Sequence, residues 1–390
     1  MPSYSLRRAR VSAMLAFATN GALPASFLAR YAEVKEQLGV GDGLFGLLVV
    51  GMTIGGAAAF HLPAVVLRRF GTPRTTAWGT VWVALAVLLA ATGVVTGHAW
   101  LFFVGLFCAG LGDACVDVGQ NSQGLRVQEG YGRSLLNFMH AGWSIGAAVG
   151  GAVGTVLAII DVPLLAHVAL WGGLCVVAMF VAASGFIPEA GPAAEEAPAS
   201  GLSRRAIVKF LVPLALVALA GITVEDLGNN WSAVLLATER DVPIASAGIA
   251  LSVMLGAQFI GRLLGDRVVD RIGDSAALRI SLVMILVGVL GAAWAPNMAL
   301  TLVAFALAGL GCAVTVPIAF ARADAVPGLP PHSGVTWVSW AMRAATICLS
   351  PLTGGLSAAF SLPLAMSVLS LIAVVALIFQ LRERRASATS

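Results

Sequence analysis

The chain has 390 residues, of which 59% are hydrophobic and only 11% charged, with a formal net charge of +4. Soluble domains carry about 25% charged residues, so this composition excludes an ordinary globular fold and indicates a polytopic membrane protein, in keeping with a mean hydropathy of +0.92. The five cysteines are scattered through apolar runs, which suits small packing groups better than a disulfide framework or a metal site.

Taken in chain order, apolar runs near the ~20 residues that cross a bilayer occupy positions 11–30, 43–67, 75–97, 99–125, 135–159, 163–187, 206–237, 243–265, 276–295, 298–321, 333–357 and 361–381. The expected architecture is an all-α protein with twelve transmembrane helices. The first run follows Arg7, Arg8 and Arg10, yet it contains Asn20 and Pro24 and has no small-residue cleavage site, so it reads as an uncleaved first helix. Asn20, just before Gly21, is placed either to present its amide to a cavity at a kink or to bond a neighbouring helix.

The fourth run carries the most informative pair. Asp113 and Asp117 lie one helical turn apart and share a face with Gln120 and Asn121. A carboxylate near the bilayer centre costs roughly 2.5–3.5 kcal/mol on insertion scales, so each needs a proton, a partner or a water-filled cavity. Asp113 falls close to mid-depth and is the preferred proton- or substrate-binding group; Asp117 sits about a turn nearer the loop, where pinning of neighbouring helices is the competing role. His140 in the fifth run is within reach of Asp117 as a proton relay, or serves as a structural donor to a backbone carbonyl.

The seventh run holds Glu225 and Asp226 beside Asn230 and Trp231, and the eleventh is interrupted by Arg343. An unpaired arginine in hydrocarbon is costly, so a salt bridge from Arg343 to Glu225 or Asp226, or a bond to an anionic substrate group, is expected. Cavity and outer vestibule are equally open to these two acids. Trp143, Gln258, Thr315, Trp337 and Trp340 supply further cavity candidates, indole faces suiting sugar rings and organic cations alike.

Residues 188–205 are rich in Ala, Pro, Gly and Glu and read as a solvated linker between halves 1–187 and 206–390. Ala109-Gly110-Leu111-Gly112 recurs as Ala308-Gly309-Leu310-Gly311, and Arg68-Arg69-Phe70-Gly71 faces Asp270-Arg271-Ile272-Gly273. The interval of about 200 residues suits a parallel duplication of six-helix halves. Of the 23 Lys and Arg residues, all but Arg30, Lys35, Arg240 and the intramembrane Arg343 fall on the side of the chain termini. The positive-inside rule therefore places both termini in the cytoplasm, and the basic balance reflects topology, with no nucleic-acid partner implied.

With these features in place, the sequence resembles the major facilitator superfamily over almost its whole length. Gly261-Arg262-Leu263-Leu264-Gly265-Asp266-Arg267, followed by Asp270-Arg271-Ile272-Gly273, looks like the family's charged loop between the second and third helices of a half. The resemblance implies a conformational clasp formed by Arg262, Asp266, Arg267, Asp270, Arg271 and Gly273; in the first half the pattern is degenerate, with Arg68 at the acidic position. Asp117-Val118-Gly119-Gln120-Asn121, Phe138-Met139-His140-Ala141-Gly142-Trp143-Ser144-Ile145-Gly146 and Asn230-Trp231-Ser232 are similar to the branch around fucose permease and the rhizopine-permease-like proteins.

The resemblance implies a monomeric secondary transporter of the bacterial inner membrane that takes up a small polar, sugar-like or inositol-like solute by proton-coupled alternating access. Asp113, Asp117 and His140 would couple the proton. Asn20, Gln120, Asn121, Trp143, Glu225, Asp226, Asn230, Gln258, Trp337, Trp340 and Arg343 would meet the solute. Gly142, Gly146, Gly150 and Gly151 match the spacing of the family's antiporter signature, with Ala147 at its proline position, so drug/proton antiport is the alternative and a non-transporting receptor a third reading. No enzyme activity, metal or cofactor is expected: His61, His98, His140, His167 and His332 are dispersed, and no phosphate-cradling glycine loop with its lysine occurs.

Overall fold

The computed structural model describes residues 5–132, 135–187, 207–326 and 333–388, and these are almost wholly helical. Helix α1 (Leu6–Leu28) leads to a short arm, α2 (Tyr31–Leu38), and then to a segmented span formed by α3 (Asp42–Val49), α4 (Gly51–Ala58) and α5 (Leu62–Phe70). Helices α6 (Thr72–Val95), α7 (Ala99–Tyr131), α8 (Leu136–Ile159) and α9 (Leu164–Ala183) complete the N-terminal set. The C-terminal set contains α10 (Val212–Asp226), α11 (Ser232–Glu239), α12 (Ile249–Ile272), α13 (Asp274–Trp294), α14 (Met298–Cys312), α15 (Thr315–Asp324), α16 (Ser333–Ala359) and α17 (Leu362–Ala388).

Ten helical stretches among the described residues are long and apolar enough to cross a membrane, and the α2–α4 region, bent by 119°, adds an eleventh. A further 27-residue helix, α16, contains Trp337, Trp340, Arg343 and several hydroxyl residues, which lower its apolar character. The fold is that of an all-α polytopic membrane protein. The expected linker at 188–205, together with Arg133 and His332, lies outside the described residues.

Helix boundaries depart from the hydropathy reading where polar residues are carried inside a span. Hydropathy ends the eighth span near residue 265, whereas α12 continues through its charged turns to Ile272 and stops at Gly273, whose φ of +77° is open to glycine at little cost. Gly71 has the same φ of +77° between α5 and α6, so the repeated glycines play one role in both sets. The seventh span includes two π-helical turns, Ile207–Leu211 and Leu227–Trp231, the second directly after the Glu225–Asp226 pair. Wide turns of this kind are rare inside helices and recur at functional sites.

Backbone proximity holds the N-terminal set together. A Cβ added at Gly146, Gly150 or Gly154 of α8 would run into the carbonyl oxygens of Ala18, Ala22 and Ser26 on α1, and one at Gly142 would meet Met14. This period of four forms a side-chain-free seam in which dispersion contacts between backbones replace the hydrophobic drive that lipid removes. Gly151 faces the other way, toward Leu251 and Ser252 of α12.

The two sets meet mainly at the end away from the chain termini. There Gly46 of α3 rests on Ser350 and Gly354 of α16, and Gly248 lies against Ala29 and Thr155. Asp42 accepts from Ser357 Oγ at 2.5 Å and pairs with Lys35 Nζ at 2.7 Å. Edge-on aromatic contacts link Tyr31 to Phe45 and Phe45 to Trp231, with centroids 5.6 Å apart in each case. Toward the terminal end, Asp117, Trp340 and Arg343 are exposed. The protein is closed at the far end.

Candidate functional site

Midway along the helices the two sets share a polar cluster. Arg262 of α12 donates through Nη1 to Ser144 Oγ of α8 at 2.6 Å and through Nη2 to Glu225 Oε1 of α10 at 3.0 Å. Gln258, one turn before Arg262, donates through Nε2 to the same Glu225 oxygen at 2.5 Å and to Cys312 Sγ at 3.4 Å. The Glu225 and Arg262 side chains are only 25% and 21% exposed, so the pair is partly desolvated while still reachable by water or solute. Gln258 is fully buried, and its Oε1 has no donor.

The N-terminal set supplies the facing half. Asn20 of α1 hydrogen-bonds the half-buried Asp113 carboxylate of α7, with Asp117 close enough to bear on it electrostatically. Asp117 Oδ1 accepts from Gln120 Nε2 at 3.2 Å and from Asn121 Nδ2 at 2.9 Å. His140, edge-on to Phe17 with centroids 5.2 Å apart, lies within electrostatic reach of both Asp117 and Arg262. Asp117, His140, Arg262 and Glu225 thus form a line of ionisable groups running from α7 through α8 to α12 and α10. Trp143 is half-buried against the core beside them.

Several expectations are corrected. Arg343 does not pair with Glu225 or Asp226: Glu225 is taken by Arg262 and Gln258, and Arg343 is exposed on α16. Asp226 and Asn230 do not join the shared cluster. Consecutive helical positions point about 100° apart, and Asp226, 8% exposed, turns into the α10–α16 contact, where Asn230 Nδ2 and Ser350 Oγ each donate to its Oδ1 at 2.9 Å. Arg262 is not a loop residue of a clasp, because α12 extends past it by ten residues to Ile272. Asp266, Arg267, Asp270 and Arg271 are exposed along the last two turns of that helix, and Gly273 is exposed just beyond it.

Arg322 also ties helix ends: it donates to Gln380 Oε1 at 3.2 Å and Ser275 Oγ at 2.5 Å and lies 3.9 Å from Asp274. Arg126 does the same in the N-terminal set, donating to Thr72 Oγ1 at 3.1 Å and to the Ile187 carbonyl at 3.5 Å. The two arginines lie 196 residues apart, close to but not at the 199-residue offset of the Ala-Gly-Leu-Gly repeat, so the repeat points to the region and not to the residue. Ser144 and Cys312 also escaped the sequence reading. Ser144 follows His140, and Arg262 follows Gln258, at the i, i+4 spacing that brings side chains onto one face. Trp337 is half-buried, and Trp340 tilts onto Phe60 of the other set with centroids 4.8 Å apart.

Two helical sets enclosing a charged, partly exposed cluster midway through a polytopic fold define a multi-pass membrane transporter. The sequence model of the Major Facilitator Superfamily matches residues 11–323 and again 211–390. The chain belongs to that superfamily. It is 28% identical over 329 residues to the uncharacterized transporter y4wD of Sinorhizobium fredii (strain NBRC 101917 / NGR234), covering 83% of this chain and 84% of that protein. It is 26% identical over 372 residues to the membrane protein MosC of Rhizobium meliloti, covering 92% and 86% of the two chains. Among solved structures, the nucleoside transporter NupG superposes with a TM-score of 0.76 at 14% identity, covering 97% of this chain and 99% of that one. The E. coli fucose:proton symporter FucP superposes at 0.60 with 18% identity, covering 95% and 97%.

Proposed function

We propose that the protein carries a small polar, sugar-like or inositol-like solute into the cell by alternating access, driven by protons. The observation that carries this reading is the cluster shared by both sets: a solute bound between Asn20, Asp113 and Gln120 on one side and Glu225, Gln258 and Arg262 on the other would bridge polar groups of both sets. The unpartnered Oε1 atoms of Gln258 and Gln120 are buried acceptors, and a buried acceptor left without a donor costs about 1–3 kcal/mol. Hydroxyl groups of a solute supply those donors. Fucose and nucleosides, named for two of the structural relatives, are solutes of this hydroxyl-rich kind.

Asp113 is the coupling carboxylate in this reading. Its partner Asn20 is neutral, so its charge is balanced by a proton or not at all, whereas Glu225 is neutralised by Arg262. His140 and Asp117 give a proton an exit toward the terminal end. The glycine spacing that suggested antiport is accounted for by the α1–α8 seam and the α12 contact, and so it gives drug export no separate support. Reconstitution into vesicles with an acidic exterior tests the proposal. Accumulation of one labelled sugar, inositol or nucleoside that collapses with a protonophore is expected; proton-driven export of cationic drugs without such accumulation, or binding without flux, would refute it.

A further inference from the structure

A second acid lies inside the fold, apart from the shared cluster. Asp226 sits at the end of α10, where the π-helical turn Leu227–Trp231 begins, and is 8% exposed. Its neighbours form a closed set. Ser350 Oγ is 2.9 Å from Oδ1 and 3.0 Å from Oδ2, and accepts from Asn230 Nδ2 at 3.0 Å and Trp231 Nε1 at 3.3 Å. A hydroxyl donates once and accepts about twice, so Ser350 is fully used, and the carboxyl receives one O–H and one N–H. No cation joins them among the described residues. Neutral donors of this number do not offset a buried negative charge, which needs a counter-charge or a proton.

No hydrogen bond or ion pair joins a charged side chain of the packed elements to Asp226 among the described residues, and Asp274 and Arg279 of α13 lie in its first two turns, at the terminal end. Glu225, next in the chain, turns to Arg262 and Gln258; Arg262 is held by Glu225 and Ser144; Asp42 of α3 is held by Lys35 and Ser357; Arg343 of α16 is exposed. Helix α14 carries no charge, and the charges of α15 and α17 lie in their last turns. What covers the acid is the other helical set. Gly46 packs on the backbone of Ser350, and Phe45, fully buried, stands edge-on to Trp231, itself fully buried. Parting α3 from α16 would uncover the Asp226, Ser350 and Trp231 group to the far side and leave the shared cluster's route to the terminal side untouched.

We propose that Asp226 is a second proton-binding site, distinct from Asp113, which exchanges its proton with water on the far side only when α3 leaves α16. The proton comes from that water onto Oδ2, the oxygen that Asn230 does not reach, and returns to it; no other covalent bond changes. The site rests on the proton-driven reading only for its meaning in transport, since its occupancy does not depend on the solute.

Infrared spectroscopy of the purified full-length protein reads the site directly. A carbonyl band of a protonated carboxyl should be absent from Asp226→Asn and present in Asp113→Asn; Asp226→Glu, which keeps the acid, should shift the band. A band lost only in Asp113→Asn, or no difference between wild type and Asp226→Asn at any pH, overturns the proposal. The gate is tested by a disulfide. A Cβ at Gly43 would lie 3.6 Å from that of Ala358, inside the usual disulfide range of about 3.5–4.5 Å. In Gly43→Cys/Ala358→Cys with Cys348→Ala, oxidation should slow deuteration of the Asp226 band about tenfold and reduction should restore it; equal rates in both states overturn the gating. Flux that ignores the proton gradient while the band persists would sink the transport reading alone.

Discussion

Replacing Ser357 by alanine probes whether closure of the far end is one side of a two-state contact. Ser357 Oγ donates to Asp42 Oδ2 at 2.5 Å, from α16 to α3, so the bond exists only while the two sets touch. Hydrogen bonds to charged groups contribute about 1.5–3 kcal/mol. The Asp42 side chain is 23% exposed and keeps Lys35 as a partner, which places this bond near the lower limit, at about 1.5 kcal/mol. Because the loss falls on the closed conformer alone, it acts wholly as a differential effect, and about 1.4 kcal/mol is a tenfold change in an equilibrium constant. Spin labels on cysteines at Leu44 and Phe360, 48% and 70% exposed on the two sides of the contact, would report short and long distances by pulsed electron resonance, with Cys348 replaced. The ratio of closed to open should fall about tenfold in Ser357→Ala. A lower melting temperature with an unchanged ratio would show that the bond only stabilises the fold and would refute the reasoning.

Other outcomes follow from the site and the seam. Asp113→Asn should abolish proton-driven accumulation while preserving solute exchange across vesicles; uphill uptake at the original rate would remove Asp113 from coupling. Arg262→Lys keeps the charge but gives up the fork that reaches Ser144 and Glu225 together, so solute affinity should drop roughly tenfold, about 1.4 kcal/mol. A double-mutant cycle of Arg262→Gln with Glu225→Gln should show coupling of about 1–2 kcal/mol, between the values for exposed and buried pairs, and additive effects would contradict the pairing. Gly146→Val should lower thermal stability by about 1–3 kcal/mol through overpacking, whereas Gly173→Ala, with open space around the added carbon, should leave the melting temperature unchanged.

The apolar runs were legible because hydrocarbon requires ~20-residue helices of nearly uniform character, and the Asp113, Asp117, Asn20 and Gln120 group was legible because polar residues stand out against that background. Partner choice was not. Arg343 and Glu225 look like natural partners on charge alone, yet Gln258 and Arg262 share one face of α12 and reach Glu225 first. Hydropathy stopped that helix early because Arg262, Asp266 and Arg267 read as loop, although a charge paired within the protein is tolerated well inside a span. The separation of Glu225 from Asp226 was equally hidden: adjacent letters suggest one site, and only the helical turn shows that they serve different neighbours. The glycines of α8 carried a true signal with two meanings, and only their seating on the α1 carbonyls separates packing from transport.

The α1–α8 seam also sets how such a carrier can change over generations. Almost any side chain larger than hydrogen at Gly146, Gly150 or Gly154 collides with backbone, and backbone cannot be traded for a smaller neighbour. A random library should therefore be purged at a period of four along α8 before selection on solute acts, under any growth condition. Gln258, Trp337 and Trp340 carry no such veto. On the proposed function, substitutions on α12 and α16 would change the cargo while the α1–α8 pair is inherited nearly unaltered.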